Sequence, residues 1–371
     1  MVPGPDRGTP RMTRGGPDRR GGEEQRVTDD TDVPAQRSRP ATLEEVARAA
    51  GVSRTTVSRV INGSPKVSSQ AKRAVEDAVG RLGYAPNRAA RSLVTRRTDS
   101  IGLVVAESEQ RVFGEPFFAS LVRGVSHELA KTDVQLVLLL TRSDQERTCV
   151  QRFLSTHLDG VLLVSAHAQD PLLDELTASG MPAVLAGRPP GPTSLPYVDA
   201  DNLGGGRSAV EHLVARGRTR IATITGTLDM AVGRDRLAGY REGLEAAGLA
   251  LDDRLEAVGD FSSASGERGT RELLAERPDL DAIFAASDLM AVGAIRALEG
   301  AGRRVPDDVS VVGFDDSVVA ESATPALTSV HQPVEEIGQR LVMLLRDAIA
   351  GDRAVPSATT LPTRLVVRES S

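Results

Sequence analysis

The chain is poor in the residues that most often carry chemistry on their own. Of its 371 residues one is cysteine, none is tryptophan, three are tyrosine and seven are phenylalanine. A lone Cys149 excludes an internal disulfide, which fits a reducing compartment, and no evident base accompanies it as a thiol nucleophile would require. The five histidines (His127, His157, His167, His212 and His331) show no metal-ligand spacing. No apolar run approaches the ~18 residues that span a bilayer, and no apolar stretch follows the charged N-terminus as in a secretory signal. The chain is therefore expected in the cytoplasm, away from membranes. The G-x-S-x-G elbow, the G-x-x-x-x-G-K-[ST] loop and a G-x-G-x-x-G after a strand are all missing. An enzyme is not expected, nor any cofactor or metal. Gly204 to Gly206 open a helical stretch and read as a tight turn rather than an anion site.

What is present begins with a leader. Residues 1–40 are rich in Gly, Pro, Arg and Asp, with eight arginines against seven acids, and have too little apolar surface to offset ordering entropy. They are expected to be disordered. Thr42 followed three residues later by Glu45 is then a capping box, and Leu43, Val46, Ala47 and Ala50 share one helical face before Gly51. Ser53 can cap a second helix, with Val57, Val60 and Ile61 inward and Asn62-Gly63 at its end. A third, 69–82, carries Ala71, Ala74, Val75, Ala78 and Leu82 on one side and stops at Gly83. Two short helices joined by Ala50-Gly51-Val52 form a helix-turn-helix pattern, whose second helix enters the major groove of DNA. Charge supports this reading. Residues 41–98 hold eleven Lys or Arg against four acids, whereas 99–371 hold 26 against 40, a net −14. A basic head on an acidic chain is the electrostatic footprint of a phosphate-binding module.

From Ser100 onward short apolar runs (101–106, 134–140, 160–165, 182–187, 220–226, 280–287 and 309–314) alternate with helical stripes (118–131, 204–216, 236–247, 266–276, 290–301 and 334–350). That alternation predicts βαβ units and parallel sheets covered on both faces, and the number of strands predicts two doubly wound subdomains. Ligands of such sheets bind beyond the carboxyl ends of the strands. The residues there are Phe113, Phe117 and Phe118, then Arg188, then Arg234 and Arg236, then Phe261 after a weaker strand near 255–258, then Asp288, and finally Phe314, Asp315 and Asp316. Five of the seven phenylalanines fall in this set.

The run VARAAGVSRTTVSRVINGSPKVS, followed by GYAPNRAARSL, resembles the DNA-binding head and hinge of the LacI/GalR repressors. EPFFASLVRGV, VDADNLGGGRSAVEHLVARG, RDRLAGYREGL, FAASDLMAVGAIRAL, DVSVVGFDDS, TPALTSVHQPVEEIG and LPTRLVVRESS resemble that family's effector-binding core, so the likeness spans about 41–371. It implies a head over 41–86, a hinge over 87–98, and a body over 99–371 of periplasmic-binding-protein type. The body's subdomains fall at about 99–197 with 325–352, and 198–324 with 353–371. By position the family's base-reading residues fall on Arg54 and Thr55, with Arg59 one turn on; a guanidinium suits the O6 and N7 of guanine. Thr56 and Ser58 are placed on phosphates. The hinge, Asn87 to Leu93, puts Leu93 as a wedge into the minor groove, with the small Ala89 and Ala90 allowing close backbone approach. Phe117, Phe118, Asn202, Arg236, Phe261, Asp288 and Asp315 are implied to face a cleft, where Arg and Asp bracket hydroxyls and phenyl faces cover C–H surface. An alternative for Arg236 and Asp288 is an interlobe salt bridge. Gly187 departs from the family pattern, since many relatives carry an acid there. His212 and His331 lie in runs the family shares and read as structural.

The function these readings imply is a sequence-specific, DNA-binding transcriptional regulator, a repressor, acting as a homodimer on operator DNA and controlled by a small-molecule effector, a sugar. The rival is a sugar-binding protein or enzyme on the same scaffold with no DNA regulation. The basic head opposes it.

Overall fold

The capping box closes as its spacing requires. The Thr42 hydroxyl accepts the Glu45 N–H at 3.3 Å while the Glu45 carboxylate accepts the Thr42 N–H at 2.7 Å. These bonds satisfy two of the amide groups that every helix start leaves open. The computed structural model describes residues 41–61, 64, 66–84, 97–141, 144–168, 170–351 and 355–371. The 1–40 leader, the Asn62-Gly63 helix end and the hinge residues Asn87, Ala90 and Leu93 lie outside the described residues. The chain divides into two compact units, residues 1–86 and 87–371.

In the first unit α1 (Leu43–Ala50) ends at Gly51, whose φ of +65° favours a residue without Cβ. α2 (Arg54–Ile61) starts from Ser53, whose hydroxyl accepts the Thr56 N–H at 3.1 Å. α3 (Ser69–Leu82) is capped by Ser68 and ended by the left-handed Gly83. Val46, Ala47, Val57, Val75 and Ala78 form the buried centre of this trihelical head. Fully burying a valine contributes about 1.5–3 kcal/mol, so a core of five small side chains makes each one count. Ala71, Ala74 and Leu82 of the expected stripe stand outside this cluster, and Leu82 is 40% exposed. The reason is the left-handed turn at Gly83, after which the Tyr84 N–H donates to the Val79 carbonyl at 3.1 Å and Tyr84 packs where Leu82 was expected.

The second unit holds two six-stranded sheets. The first is ordered β11-β5-β4-β3-β1-β2, from β1 (Ser100–Val105), β2 (Gln135–Leu140), β3 (Gly160–Val164), β4 (Ala183–Ala186), β5 (Tyr197–Ala200) and β11 (Ala358–Leu361), all parallel. The second is ordered β12-β10-β9-β8-β6-β7, from β6 (Ile221–Thr225), β7 (Glu256–Val258), β8 (Ala282–Ala285), β9 (Ser310–Asp315), β10 (Thr328–His331) and β12 (Arg364–Val366), with only the β10–β12 pairing antiparallel. Each sheet is packed on two apolar layers, which is why its central strands read as near-continuous apolar runs rather than alternating.

All seven apolar runs become strands, and the weak eighth becomes β7. The subdomain boundaries differ from expectation. The chain passes between lobes after β5, after β10 and after β11. Thr328–His331 therefore belongs to the second lobe, and Ala358–Leu361 to the first, the reverse of the expected division. β5, through which the expected 197/198 boundary cut, lies wholly in the first lobe. These are short crossover and edge strands with few apolar residues, so composition gave no sign of which sheet they would join. Helices expected to start at 204, 266 and 290 start instead at Asn202, Ser263 and Asp288, behind caps at Asp201, Ser262 and Ser287. The Gly204–Gly206 stretch is no turn. It is the first part of helix Asn202–Ala215, and a Cβ on Gly206 would lie 2.5 Å from the Arg236 carbonyl oxygen. The glycines let this helix press against its neighbour Ala231–Ala246.

Candidate functional site

In each sheet the strand order reverses direction at one point, beside β1 in the first and β6 in the second, which is where doubly wound sheets bind ligands. The loops after β3, β4, β6, β7, β8 and β9 line one cavity between the lobes. It leaves room for several water molecules. All eight residues expected to face it do so: Phe117, Phe118, Arg188, Asn202, Arg236, Phe261, Asp288 and Asp315. Three lining residues, Ser165, Phe261 and Asp315, have positive φ (61°, 68° and 113°) without being glycine. Such backbone strain is held only where surrounding structure enforces it and concentrates at ligand sites. Gly187 also lines the cavity, at φ +93°.

Arg236 is the buried cation. Its Nε donates to Asn202 Oδ1 at 2.9 Å and its Nη1 to the Ala286 carbonyl at 2.5 Å, with Asp315 Oδ1 3.5 Å from Nη1. Its guanidinium lies 3.6 Å from the centroid of the Phe314 ring. Asn202 passes the network on, donating to Asp199 Oδ1 at 2.9 Å, and Gln332 donates to Asp315 Oδ1 at 2.6 Å. Burial pushes the Asp315 carboxyl well up despite Arg236, and pushes the Asp199 carboxyl up against bonds from the Arg188 and Ala200 amides.

Asp288 is tied elsewhere. Its Oδ2 accepts from the Ser317 amide at 2.7 Å and hydroxyl at 2.8 Å, and its Oδ1 from the Ser329 hydroxyl at 2.5 Å. The alternative of an interlobe Arg236–Asp288 salt bridge does not hold, because both residues belong to the second lobe and each has its own partners. Arg188 crosses between lobes instead, with Nε donating to Asp235 Oδ2 at 3.1 Å. Arg111 is clamped by Glu107 at 2.6 Å and Glu115 at 2.7 Å. Burial raises the Glu115 carboxyl, with Arg111 opposing.

Sequence reasoning missed Glu107, Arg111, Glu115, Asp199 and Gln332. The i±4 spacing of Glu107, Arg111 and Glu115 was a visible ion-pair signal, but nothing local placed it at the cavity. Two of the five loop phenylalanines do not line it. Phe113 is 74% exposed on helix Glu109–Gly114, and Phe314 is fully buried within β9, beneath Arg236.

In the head, α2 carries no acidic side chain. Arg54, Thr55 and Arg59 are exposed, and Thr56 and Ser58 are half-buried. The Thr56 hydroxyl lies 2.9 Å from that of Ser53, so it shares in the cap. Arg54 Nε lies 3.2 Å from Glu44, with side chains 72% and 54% exposed. An exposed pair of this kind is worth about 0–1 kcal/mol and yields readily to a stronger partner.

Comparison with known proteins bears on both units. Residues 42–87 match the family model for bacterial regulatory proteins of the lacI family, and 210–371 match the periplasmic binding protein-like domain. The chain is 52% identical over 338 residues to the HTH-type transcriptional regulator CelR of Thermobifida fusca, covering 90% of this chain and 99% of that one. It is 37% identical to the ribose operon repressor of Escherichia coli K12 over 82% of its own length and 92% of the repressor's. The chain belongs to the LacI family of bacterial regulatory proteins. Among solved structures, a CelR–cellobiose complex superposes with a TM-score of 0.72 at 50% identity, covering 89% of this chain and all of that one. The lac repressor dimer bound to operator and the anti-inducer ONPF superposes with a TM-score of 0.77 at 31% identity, covering 90% and 99%. This LacI-family chain is thus a DNA-binding transcriptional regulator and not an enzyme. Among its described residues no helix is long and apolar enough to cross a membrane.

Proposed function

We propose that this LacI-family regulator represses transcription in the cytoplasm as a homodimer on operator DNA, and that a neutral sugar closing the interlobe cavity controls that binding. In this reading Arg54, Thr55 and Arg59 meet base edges, while Thr56 and Ser58 meet phosphates. Asn87, Ala90 and Leu93 belong to a hinge segment that inserts into the minor groove. Phe117, Phe118, Arg188, Asn202, Arg236, Phe261, Asp288 and Asp315 hold the effector.

The observation that carries the ligand class is the charge pairing. Each arginine lining the cavity already faces carboxylate: Arg111 with Glu107 and Glu115, Arg188 with Asp235, Arg236 with Asp315. A phosphate or carboxylate ligand would need a cation of its own, or would have to break one of these pairs against the remaining acids. Hydroxyls need only donors and acceptors, and the phenyl faces of Phe117 and Phe261 cover a pyranose C–H surface. The similar CelR–cellobiose complex makes that disaccharide the first candidate.

The test is a gel-shift titration of the full chain on palindromic sites from its own genome, with and without cellobiose. Asp288→Ala should keep operator affinity and lose the response. A normal response in that variant, or no preference for any palindrome over random duplex, refutes the reading.

A further inference from the structure

His167 follows β3 in the first lobe, outside every motif singled out in the sequence, yet it stands between two carboxylates from opposite sides of the cleft. Its Nε2 lies 3.2 Å from Glu107 Oε1, on its own lobe, and its Nδ1 lies 2.8 Å from Asp229 Oδ2, on the other. One residue on, the Ala168 N–H donates to the Asp229 carbonyl at 3.1 Å, so the lobes meet here along backbone as well as side chain. Both carboxylates are held in place independently of the ring. Arg111 Nη1 donates to Glu107 Oε1 at 2.6 Å, and the Thr227 hydroxyl donates to Asp229 Oδ1 at 2.8 Å.

A neutral imidazole has one N–H and one lone pair, so one of its nitrogens would present a lone pair to a carboxylate oxygen. Only the imidazolium donates to both. We infer that His167, doubly protonated, is the latch that holds the two lobes closed over the effector, and that closure takes up a proton. The inference rests on the effector reading above for its consequence, but not for its geometry. The three side chains do not form a metal site: the ring lies between the carboxylates, and no His, Cys, Asp or Glu group among the described residues has metal-holding geometry.

The titratable and charged groups facing the ring are Glu107 and Asp229, with Arg111 behind Glu107. The Glu107 hydrogen bond raises the imidazole most, burial opposes it, and Asp229 adds to the rise, bringing it from 6.5 to about 9. Opening the lobes removes Asp229 and leaves Glu107, so the open form holds the proton less tightly. The sign follows. The latch contributes fully below the open-form pKa and is lost as pH rises through about 9. A ligand that binds the closed form therefore binds more weakly in alkali. Asp229 is 51% exposed, so water screens it, and the fall expected is several-fold to about tenfold rather than the full shift. Further interlobe contacts among the described residues include Arg188 to Asp235, Arg234 Nη2 to the Pro190 carbonyl at 3.2 Å and Arg111 over the Phe261 ring at 5.6 Å. The Asp315 carboxyl in the cavity, which burial pushes well up, adds a pH dependence of its own.

The test has two arms on the full chain. In the first, the histidine rings are isotopically labelled and titrated by NMR, without sugar. The His167 ring should titrate well above its ordinary value and move down in Asp229→Asn. A wild-type ring titrating near the ordinary value, or one that Asp229→Asn leaves unmoved, overturns the latch. In the second arm, cellobiose is titrated calorimetrically from pH ~7 to pH ~9.5. Wild-type affinity should fall as above, while His167→Gln should bind more weakly at the low end and fall less, keeping only the part set by the raised Asp315 carboxyl in the cavity. A flat wild-type profile also overturns the latch. Should cellobiose fail to bind at any pH, the effector assignment falls and the ring titration alone decides the latch.

Discussion

Removing the buried guanidinium of Arg236 should destabilise the body in a way that depends on pH. Its side chain is 4% exposed and that of its partner Asp315 is 19% exposed, with 3.5 Å between them. Replacing one member of such a pair costs about 3–5 kcal/mol, because the other is left buried and unpaired. In Arg236→Met the orphan is a carboxyl that burial already pushes up, and losing the cation pushes it higher. Its folded pKa then lies above its unfolded one, so the folded state binds more protons, and stability falls as pH rises between the two values. The slope is at most about 1.4 kcal/mol per pH unit. Burial already raises Asp315 to about 8 in the wild type, so the two proteins diverge only above that value. Urea unfolding followed by circular dichroism at pH ~7 and pH ~9.5 should therefore show a larger loss for the variant at the higher pH. Arg236→Met/Asp315→Leu should recover part of it, since neither member of the pair is then left without the other. An equal loss at both pH values, or additive losses in the double variant, would mean that the pair is not coupled as the geometry requires.

Gly206→Ala should cost about 1–3 kcal/mol of stability, since its methyl would meet the Arg236 carbonyl oxygen at 2.5 Å; a thermal melt checks it. Arg54→Ala should cost about 1–3 kcal/mol of operator binding and relax base preference at one position, read by binding to a randomised operator library. Leu93→Ala should weaken operator binding far more than binding to random duplex, because a wedge that unstacks a base step earns contacts only in the bent complex. Equal losses in a salt-matched titration would remove Leu93 from that role.

The helix-turn-helix head was legible because its signals are local. A capping box, a glycine stop, a serine cap and three apolar stripes each act within a few residues, and the first and third helices match their expected bounds. The placing of Leu82 depended on which way the chain leaves a left-handed glycine. The strands of the body were legible for the same reason, since burial on both faces demands unbroken apolar runs.

Which lobe an edge strand joins is not a local property, and β10 and β11 fell to the opposite sheets from those expected. The eight cavity residues were found because strand ends in doubly wound sheets bind ligands and a family likeness pointed to the same positions. What each one does in the cavity was decided by the tertiary structure. Only there does Arg236 find Asp315 rather than Asp288, and Arg188 cross to Asp235. His167, unremarkable in sequence, acquires its two carboxylates from residues 60 and 62 positions away. Sequence alone determined the head helices, six of the body helices, most of the strands and the charge of each unit, because those follow from near neighbours and composition. The charge pairing inside the cleft needed the fold, because electrostatic partners are set by distance in space, and crossovers between lobes bring together residues that no periodicity links.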